Sequence, residues 1–269
     1  MIKYITESNF LKWSDFLNIN REQIKLSAKM SMAGSSPNPM IVTFIYWLIS
    51  FILNYLQLSI LIAGTNYTYI AENALAYGFD SVSLADYDNL FSGMLSSGKL
   101  LFVLVISVMA SILSVGYTMY CLKVSRNEQA GIPTIFDGFT VFLRVIVLKI
   151  LINIFVGLWS ILLIIPGIIA SYRYSMAVYL LIDNPDMSPM ECIRASKEIT
   201  RGRKGELFVL DLSFIGWFLL SRIAILGTVI GMWTNPYMGI TYSNFYNKLI
   251  TQANSPNTGY YDNSNNTFN

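Results

Sequence analysis

Residues 40–63 read MIVTFIYWLISFILNYLQLSILIA, a run of 24 residues without a charged side chain. An α-helix rises 1.5 Å per residue, so about 20 apolar residues cross the hydrocarbon core of a bilayer, which is about 30 Å thick. This run therefore predicts a membrane-spanning helix.

Five more apolar runs follow the first one along the chain. They are Leu100–Cys121, Val141–Ile165, Gly167–Ile182, Leu207–Ser221 and Ile223–Phe245. We predict an all-α fold, a polytopic helical membrane protein with about six transmembrane helices plus interfacial amphipathic helices. The fourth and fifth runs have only about 16 residues, so these helices lie beside longer neighbours, thin the bilayer, or are partly re-entrant.

The composition agrees with a chain that faces lipid. Of its 269 residues, 54% are hydrophobic and 13% are charged, whereas soluble domains carry about 25% charged residues. The absence of His removes the commonest general base and the commonest transition-metal ligand. The sequence also lacks a carboxylate pair at helical spacing and a nucleophile motif. We therefore predict no enzyme activity, no metal and no cofactor, and the net charge of +2 does not suggest nucleic acid.

The distribution of Lys and Arg predicts the topology. Segments 1–39 and 183–206 each contain five of these cations, whereas 64–98 contains none and has four acids. Because cytoplasmic loops are enriched in Lys and Arg, six spans with both termini in the cytoplasm fit this distribution. The prediction is a multi-pass plasma-membrane protein, with Arg222 at an outer turn as the exception.

The predicted organisation has three parts. Residues 1–39 form a cytoplasmic amino-terminal segment with an interfacial helix over 20–32, which begins at Asn20. Residues 40–250 form the six-span membrane domain with an outer loop at 64–98. Residues 251–269, rich in Asn, form a disordered tail.

A cytoplasmic helix is predicted over 189–201. Ser188 and Glu191 have the spacing of a capping box, and Pro189 occupies the first helical position. Gly202 is placed for a carboxy-terminal cap. Three cations near the end of this helix are candidate contacts for anionic lipid head groups: Arg201, Arg203 and Lys204. The alternative is that they serve only as ordinary determinants of cytoplasmic topology.

Three charged residues lie deeper in the predicted spans and form a candidate polar site: Lys149, Arg173 and Asp211. Burying an ion in a membrane costs at least about 2.5–3.5 kcal/mol, so each requires a partner or water. One hypothesis pairs Asp211 with Lys149 or Arg173, while the remaining cation binds an anionic lipid or a peptide carboxylate. Neighbours that would assist this cation are Tyr172, Tyr174 and Ser175. The alternative is a structural ion pair, with the other cation reaching the interface.

Several motifs between Leu158 and Trp217 carry a family resemblance: LLIIPGII at 162–169, YSMA at 174–177, DNP at 183–185, ASKEITRG at 195–202 and LDLSFIGW at 210–217. This pattern resembles the bacterial integral-membrane family catalogued as domain of unknown function 975. It is more distantly similar to the membrane domain of some glycerophosphodiester phosphodiesterases, whose catalytic His is missing here. The resemblance implies a multi-pass helical membrane protein without an assigned reaction. Val178 replaces a frequent Pro of the family, which suggests a straighter fourth helix.

The sequence thus predicts a membrane protein without catalytic chemistry, with an interaction, lipid-binding, peptide-binding or protective role. Besides the bilayer, the expected partner is an anionic lipid or a membrane-active peptide, and the acidic loop 64–98 would suit a cationic partner. The alternative is a small transporter of an amphiphilic or anionic molecule, suggested by the two short runs and the interruption at Pro166-Gly167.

Overall fold

The structure is a computed structural model that describes residues 21–65, 67–78, 83–95, 97–221 and 224–254. These described residues are almost entirely helical and contain no strand, which confirms the predicted all-α fold. The start of the interfacial helix at Asn20, the exception Arg222, and the tail beyond residue 254 lie outside the described residues. The first four residues assigned to the tail, 251–254, belong to the last helix.

The helices follow one another with short connections. In chain order they are α1 (Arg21–Gly34), α2 (Pro39–Ile62), α3 (Tyr67–Tyr77), α4 (Leu84–Met94), α5 (Ser97–Ser125), α6 (Phe142–Leu162), α7 (Ile164–Tyr174), α8 (Ala177–Asp183), α9 (Pro189–Ile199), α10 (Lys204–Leu212), α11 (Ile215–Leu220) and α12 (Ala224–Asn254). A 3-10 segment (Ile132–Val141) precedes α6.

Four stretches of the described helices are long and apolar enough to cross a membrane: Pro39–Ile62, Gly98–Ser125, Ile132–Leu162 and Ile164–Asp183. They coincide with the first four predicted runs. The last of them is interrupted at residues 175–176, between α7 and α8, just before Val178. The predicted number of six spans is not confirmed.

The fifth predicted run is divided into α10 and α11, and neither piece is long enough to span a bilayer. At the division, the Ser213 hydroxyl donates to the Leu210 carbonyl, and Lys25 Nζ donates to the Ser213 carbonyl. Such side-chain hydrogen bonds compete with the regular helical bonds. The sixth run lies in the longer α12, whose polar residues lower its hydropathy.

The capping box of α9 is present as predicted. The Ser188 hydroxyl accepts from the Glu191 amide at 3.3 Å, and the Glu191 carboxylate accepts from the Ser188 amide at 2.8 Å. The helix ends at Ile199, two residues before the predicted end, and Gly202 has a φ of +77°. A left-handed φ favours glycine, which explains why Gly terminates this segment.

We expect Ser188→Ala to destabilise α9 by roughly 0.5–2 kcal/mol, because an orphan amide loses its acceptor. The Ser188 hydrogen bonds lower the pKa of Glu191. A lowered folded-state pKa gives stability that is present above the unfolded-state pKa and lost as pH falls through the folded-state value. Thermal unfolding in detergent should therefore show a larger effect of Ser188→Ala at neutral than at acid pH. Failure of this variant to integrate into the membrane would contradict a surface helix.

The core lies at one end of the bundle. Buried side chains are concentrated at the starts of α2 and α6 and in the second halves of α5 and α12; they include Val42, Tyr120, Leu148, Phe245 and Tyr246. The opposite halves of α2, α5 and α6 expose large apolar side chains, among them Phe51, Leu101, Leu104, Ile154 and Ile161. The packed end is the one that the Lys and Arg distribution assigns to the cytoplasm, and the exposed apolar halves suit hydrocarbon.

The first helix packs against this core. Ile24 and Ala28, one helical turn apart in α1, are buried, and the Asn244 side chain of α12 donates to the Ile24 carbonyl at 3.5 Å. Lys25 Nζ lies 4.2 Å from the centroid of the Phe214 ring. The apolar face of α1 therefore packs against the other helices of the same chain.

Segment 64–98, predicted as an outer loop, contains the two helices α3 and α4. The Ser83 hydroxyl and the Asp86 carboxylate form a capping box at the start of α4. This local cap explains why an acidic and polar segment is helical here.

Candidate functional site

The three charges of the predicted polar site do not form one cluster. Lys149 Nζ donates to the Ser111 carbonyl at 3.0 Å and to the Ser114 hydroxyl at 2.7 Å, both on α5. An ammonium group inside a membrane needs such acceptors, and α5 provides them without a carboxylate. Lys149 is therefore a link between α5 and α6 and lies apart from the other two residues.

Asp211 accepts a hydrogen bond from the Tyr172 hydroxyl at 2.6 Å. Its second oxygen, Oδ1, is buried and has no hydrogen-bond partner among the described residues. The hypothesis of an ion pair with Lys149 or Arg173 is wrong for this structure, because neither cation lies within 4 Å of Asp211 in the described residues. The partner of Asp211 is the Tyr172 hydroxyl and not a cation.

We expect Asp211→Asn and Tyr172→Phe each to destabilise the bundle by about 1.5–3 kcal/mol, the range for hydrogen bonds that involve a charged group. Because the two groups share one bond, the double variant should lose less than the sum of its singles. Thermal unfolding in detergent measures this. Pairs of Asp211→Asn with Lys149→Gln or Arg173→Gln should be additive, and coupling in either pair would restore the ion-pair hypothesis.

Arg173 lies at the contact between α7 and α9. Its carbonyl accepts from the Ser196 hydroxyl at 2.9 Å and from the Thr200 hydroxyl at 3.3 Å. Its side-chain Nε is buried and makes no hydrogen bond to the described residues. The end of α9 is thus hydrogen-bonded to the backbone of Arg173, and the side-chain Nε of the same residue is an unused donor.

The three predicted head-group contacts differ from one another. Arg203 is only 3% exposed, and its guanidinium donates to Glu206 Oε1 at 2.9 Å and to Gln252 Oε1 at 3.0 Å. The prediction is therefore wrong for Arg203, because it turns inward and holds the α9–α10 turn against α12. Arg201 is exposed and lies 3.7 Å from Glu198.

Lys204 opens α10 and is partly buried, without a side-chain partner among the described residues. Burial lowers its pKa, and so do the positive charges of Arg173, Arg201 and Lys197, in this order. Like charges act on one another in this way only when they are close together. We call these four residues the basic cluster. Arg201 pairs with Glu198, whereas Arg173, Lys197 and Lys204 have no acidic partner in the part of the chain that the structure describes. Arg173 and Lys204 are also the two that are partly buried.

A second polar network was not predicted from the sequence. Arg126 donates twice to the Asp183 carboxylate, at 2.8 and 2.7 Å, and its Nε donates to Asn247 at 3.0 Å. The Tyr246 hydroxyl also donates to Asp183, at 2.9 Å. This network joins the ends of α5 and α8 to α12. The only available signal was the DNP motif at 183–185, which does not reveal its partners.

Cys121 and Cys192 are free and buried, and burial raises the pKa of Cys192 to about 11, so this group is a thiol. Within the described ranges, no three His, Cys, Asp or Glu side chains are grouped to hold a metal ion.

Residues 160–254 match the family model described as "Protein of unknown function (DUF975)". The match confirms the resemblance predicted from the motifs. It covers α7 to α12, so it includes Arg173, the α9–α10 turn and Asp183. No curated protein and no solved structure matches the chain, and nothing supports the distant similarity to the phosphodiesterase membrane domain.

Proposed function

We propose that this protein is a non-catalytic, multi-pass plasma-membrane protein that binds anionic phospholipid at its cytoplasmic end. The observation that carries the proposal is that Arg173 and Lys204, at the packed end of the bundle, have no acidic partner among the described residues. Juxtamembrane cations attract anionic lipids by about 1 kcal/mol each. The four apolar helices that are long enough to cross a bilayer support the proposal, because a protein in a bilayer is surrounded by such lipids.

Native mass spectrometry of the purified full-length chain in neutral detergent tests this proposal. Dioleoyl phosphatidylglycerol should remain bound in preference to dioleoyl phosphatidylcholine, because the two lipids share their acyl chains and differ in net charge. The preference should weaken as ionic strength rises, since salt screens exposed charges. Equal retention of the two lipids would contradict the proposal.

The proposed topology has both termini and segment 183–206 in the cytoplasm. Cysteines introduced at Arg194 and at Asp88, two exposed positions, can be treated with a membrane-impermeant maleimide in intact cells. We expect labelling at position 88 and none at 194 until the membrane is permeabilised. Cys121 and Cys192 are buried and give a low background. Labelling of position 194 in intact cells would overturn this topology.

A small transporter is the second candidate function. The observation that favours it is the pair of interrupted helices, α7–α8 and α10–α11, because broken helices form the substrate sites of many transporters. Proteoliposomes containing fluorescent phosphatidylglycerol test it with a membrane-impermeant quencher. Movement of the lipid between leaflets faster than in empty vesicles would support transport over simple binding.

An anionic lipid is favoured over a cationic membrane-active peptide as the partner. The acidic surface that would attract such a peptide lies on α3 and α4, where Asp86 already serves as the cap of α4. The basic cluster, in contrast, has unused donors.

A further inference from the structure

We propose that the contact between α7 and α10 holds the phosphate of a single anionic phospholipid. Arg173, Lys204 and the backbone of the turn at 202–205 would bind the phosphate, and the exposed apolar side chains of the two helices would receive the acyl chains. This inference rests on the proposed function and assigns the lipid to one site.

The charge balance at this contact favours an anion. Two of the nearby carboxylates pair with other cations: Glu206 accepts from Arg203, and Glu198 lies beside Arg201. Asp211 accepts from the neutral Tyr172 hydroxyl and lies farther than 4 Å from both Arg173 and Lys204. Arg173 and Lys204 therefore have no ion-pair partner among the described residues. A guanidinium group offers several donors in a plane that matches phosphate oxygens, and an ammonium group adds a compact charge.

The backbone of the turn adds further donors. The amides of Gly202, Lys204 and Gly205 have no backbone acceptor among the described residues, whereas those of Glu206 and Leu207 both donate to the Arg203 carbonyl. Free amides and the helix dipole make such a start of a helix attractive to phosphate. A Cβ on Gly205 would meet nothing within 4 Å, so the space in front of the turn is open.

The side chains next to the two cations distinguish a lipid from free phosphate. On α10, Phe208 and Leu212 follow Lys204 at helical spacing, and both are exposed. On α7, Ile169 and Ile165 precede Arg173 at the same spacing and are also exposed; their exposures are 44% and 71%. Because α7 and α10 are in contact, with a Tyr172–Phe208 ring pair between them, both stripes continue from the cations into apolar surface.

Three variants of the full-length chain test the site. Arg173→Gln removes the guanidinium and is expected to weaken phosphatidylglycerol binding about tenfold, as for the loss of a charge-assisted hydrogen bond. Gly205→Asp is expected to weaken binding at least as much, because it adds a carboxylate at the turn. This variant should still fold, because the space is open and an acid suits the start of a helix.

The matched control is Arg194→Gln, which removes one cation from an exposed position of α9. It should weaken binding less than Arg173→Gln does, because the exposed Arg194 contributes only a long-range attraction that salt screens. Binding is measured by native mass spectrometry, and thermal unfolding shows that each variant is folded.

The possible results separate this inference from the proposed function. Phosphatidylglycerol binding that is weakened about tenfold or more in Arg173→Gln and Gly205→Asp, but much less in Arg194→Gln, supports the site. Equal binding by wild type and a folded Gly205→Asp would overturn the site and leave lipid binding elsewhere. Displacement of the lipid by millimolar inorganic phosphate would overturn the lipid assignment. An absence of lipid binding by the wild type would overturn the proposed function itself.

Discussion

Gly116→Ala is expected to destabilise the bundle by more than about 3 kcal/mol and to reduce the yield of folded protein. A Cβ on Gly116 in α5 would lie 1.7 Å from the backbone carbonyl oxygen of Ile135 in the 3-10 segment. Backbone atoms cannot turn aside as a flexible side chain can, so the whole segment would have to move. The gain in helix propensity from Gly to Ala, about 1 kcal/mol, does not offset this clash.

The 3-10 segment also contributes a glycine to this contact with α5, which allows a second variant. A Cβ on Gly138 would lie 2.4 Å from the carbonyl oxygen of Ile112. Gly138→Ala should therefore be destabilising as well. Close backbone approach at small residues is the usual way in which helices associate in lipid, where burial of apolar side chains gives no advantage.

Gly157→Ala in α6 is the matched control, because a Cβ at Gly157 would meet nothing within 4 Å. We expect this change to leave stability unchanged or to raise it by up to about 1 kcal/mol. Thermal unfolding in detergent and the amount of monodisperse protein extracted from membranes compare the variants. If Gly116→Ala were as stable as Gly157→Ala, the close contact between α5 and the 3-10 segment would be wrong.

Features encoded locally could be predicted from the sequence. The run at 40–63 becomes α2, Pro39–Ile62, and the Ser188–Glu191 spacing becomes the cap of α9. Hydropathy and capping depend on residues within a few turns of one another, so a single sequence contains all the information needed.

Features that depend on distant segments could not be predicted. The three cations at 201–204 are equivalent by sequence, but Arg203 is buried and donates to Glu206 and Gln252. Asp211 was expected to pair with a cation, whereas the Tyr172 hydroxyl, on another helix, donates to one of its oxygens. In the sequence, Gly116 is one small residue in an apolar run, and nothing nearby in the sequence indicates its contact with Ile135. In each case, the partner is set by the packing of helices and not by sequence spacing.

The Arg126–Asp183 pair is the second feature whose loss should have a large effect. Asp183 accepts two bonds from Arg126 and one from Tyr246, and its side chain is only 22% exposed. Asp183→Asn removes the negative charge and leaves a partly buried guanidinium without its counter-ion. Exposed pairs contribute up to about 1 kcal/mol, and breaking a buried pair costs about 3–5 kcal/mol. We expect an intermediate loss of about 2–3 kcal/mol.

Asp137→Asn provides the comparison for this prediction, because Asp137 pairs with Lys123 at 3.1 Å but is 43% exposed. Water solvates both members of this second pair, so its loss should cost less than about 1 kcal/mol. Thermal unfolding of both variants in detergent measures the difference. Since the Arg126–Asp183 pair joins α5, α8 and α12, its loss should also increase hydrogen exchange at the ends of all three helices. An equal, small effect of the two substitutions would mean that the network around Asp183 does not hold the packed end of the bundle together.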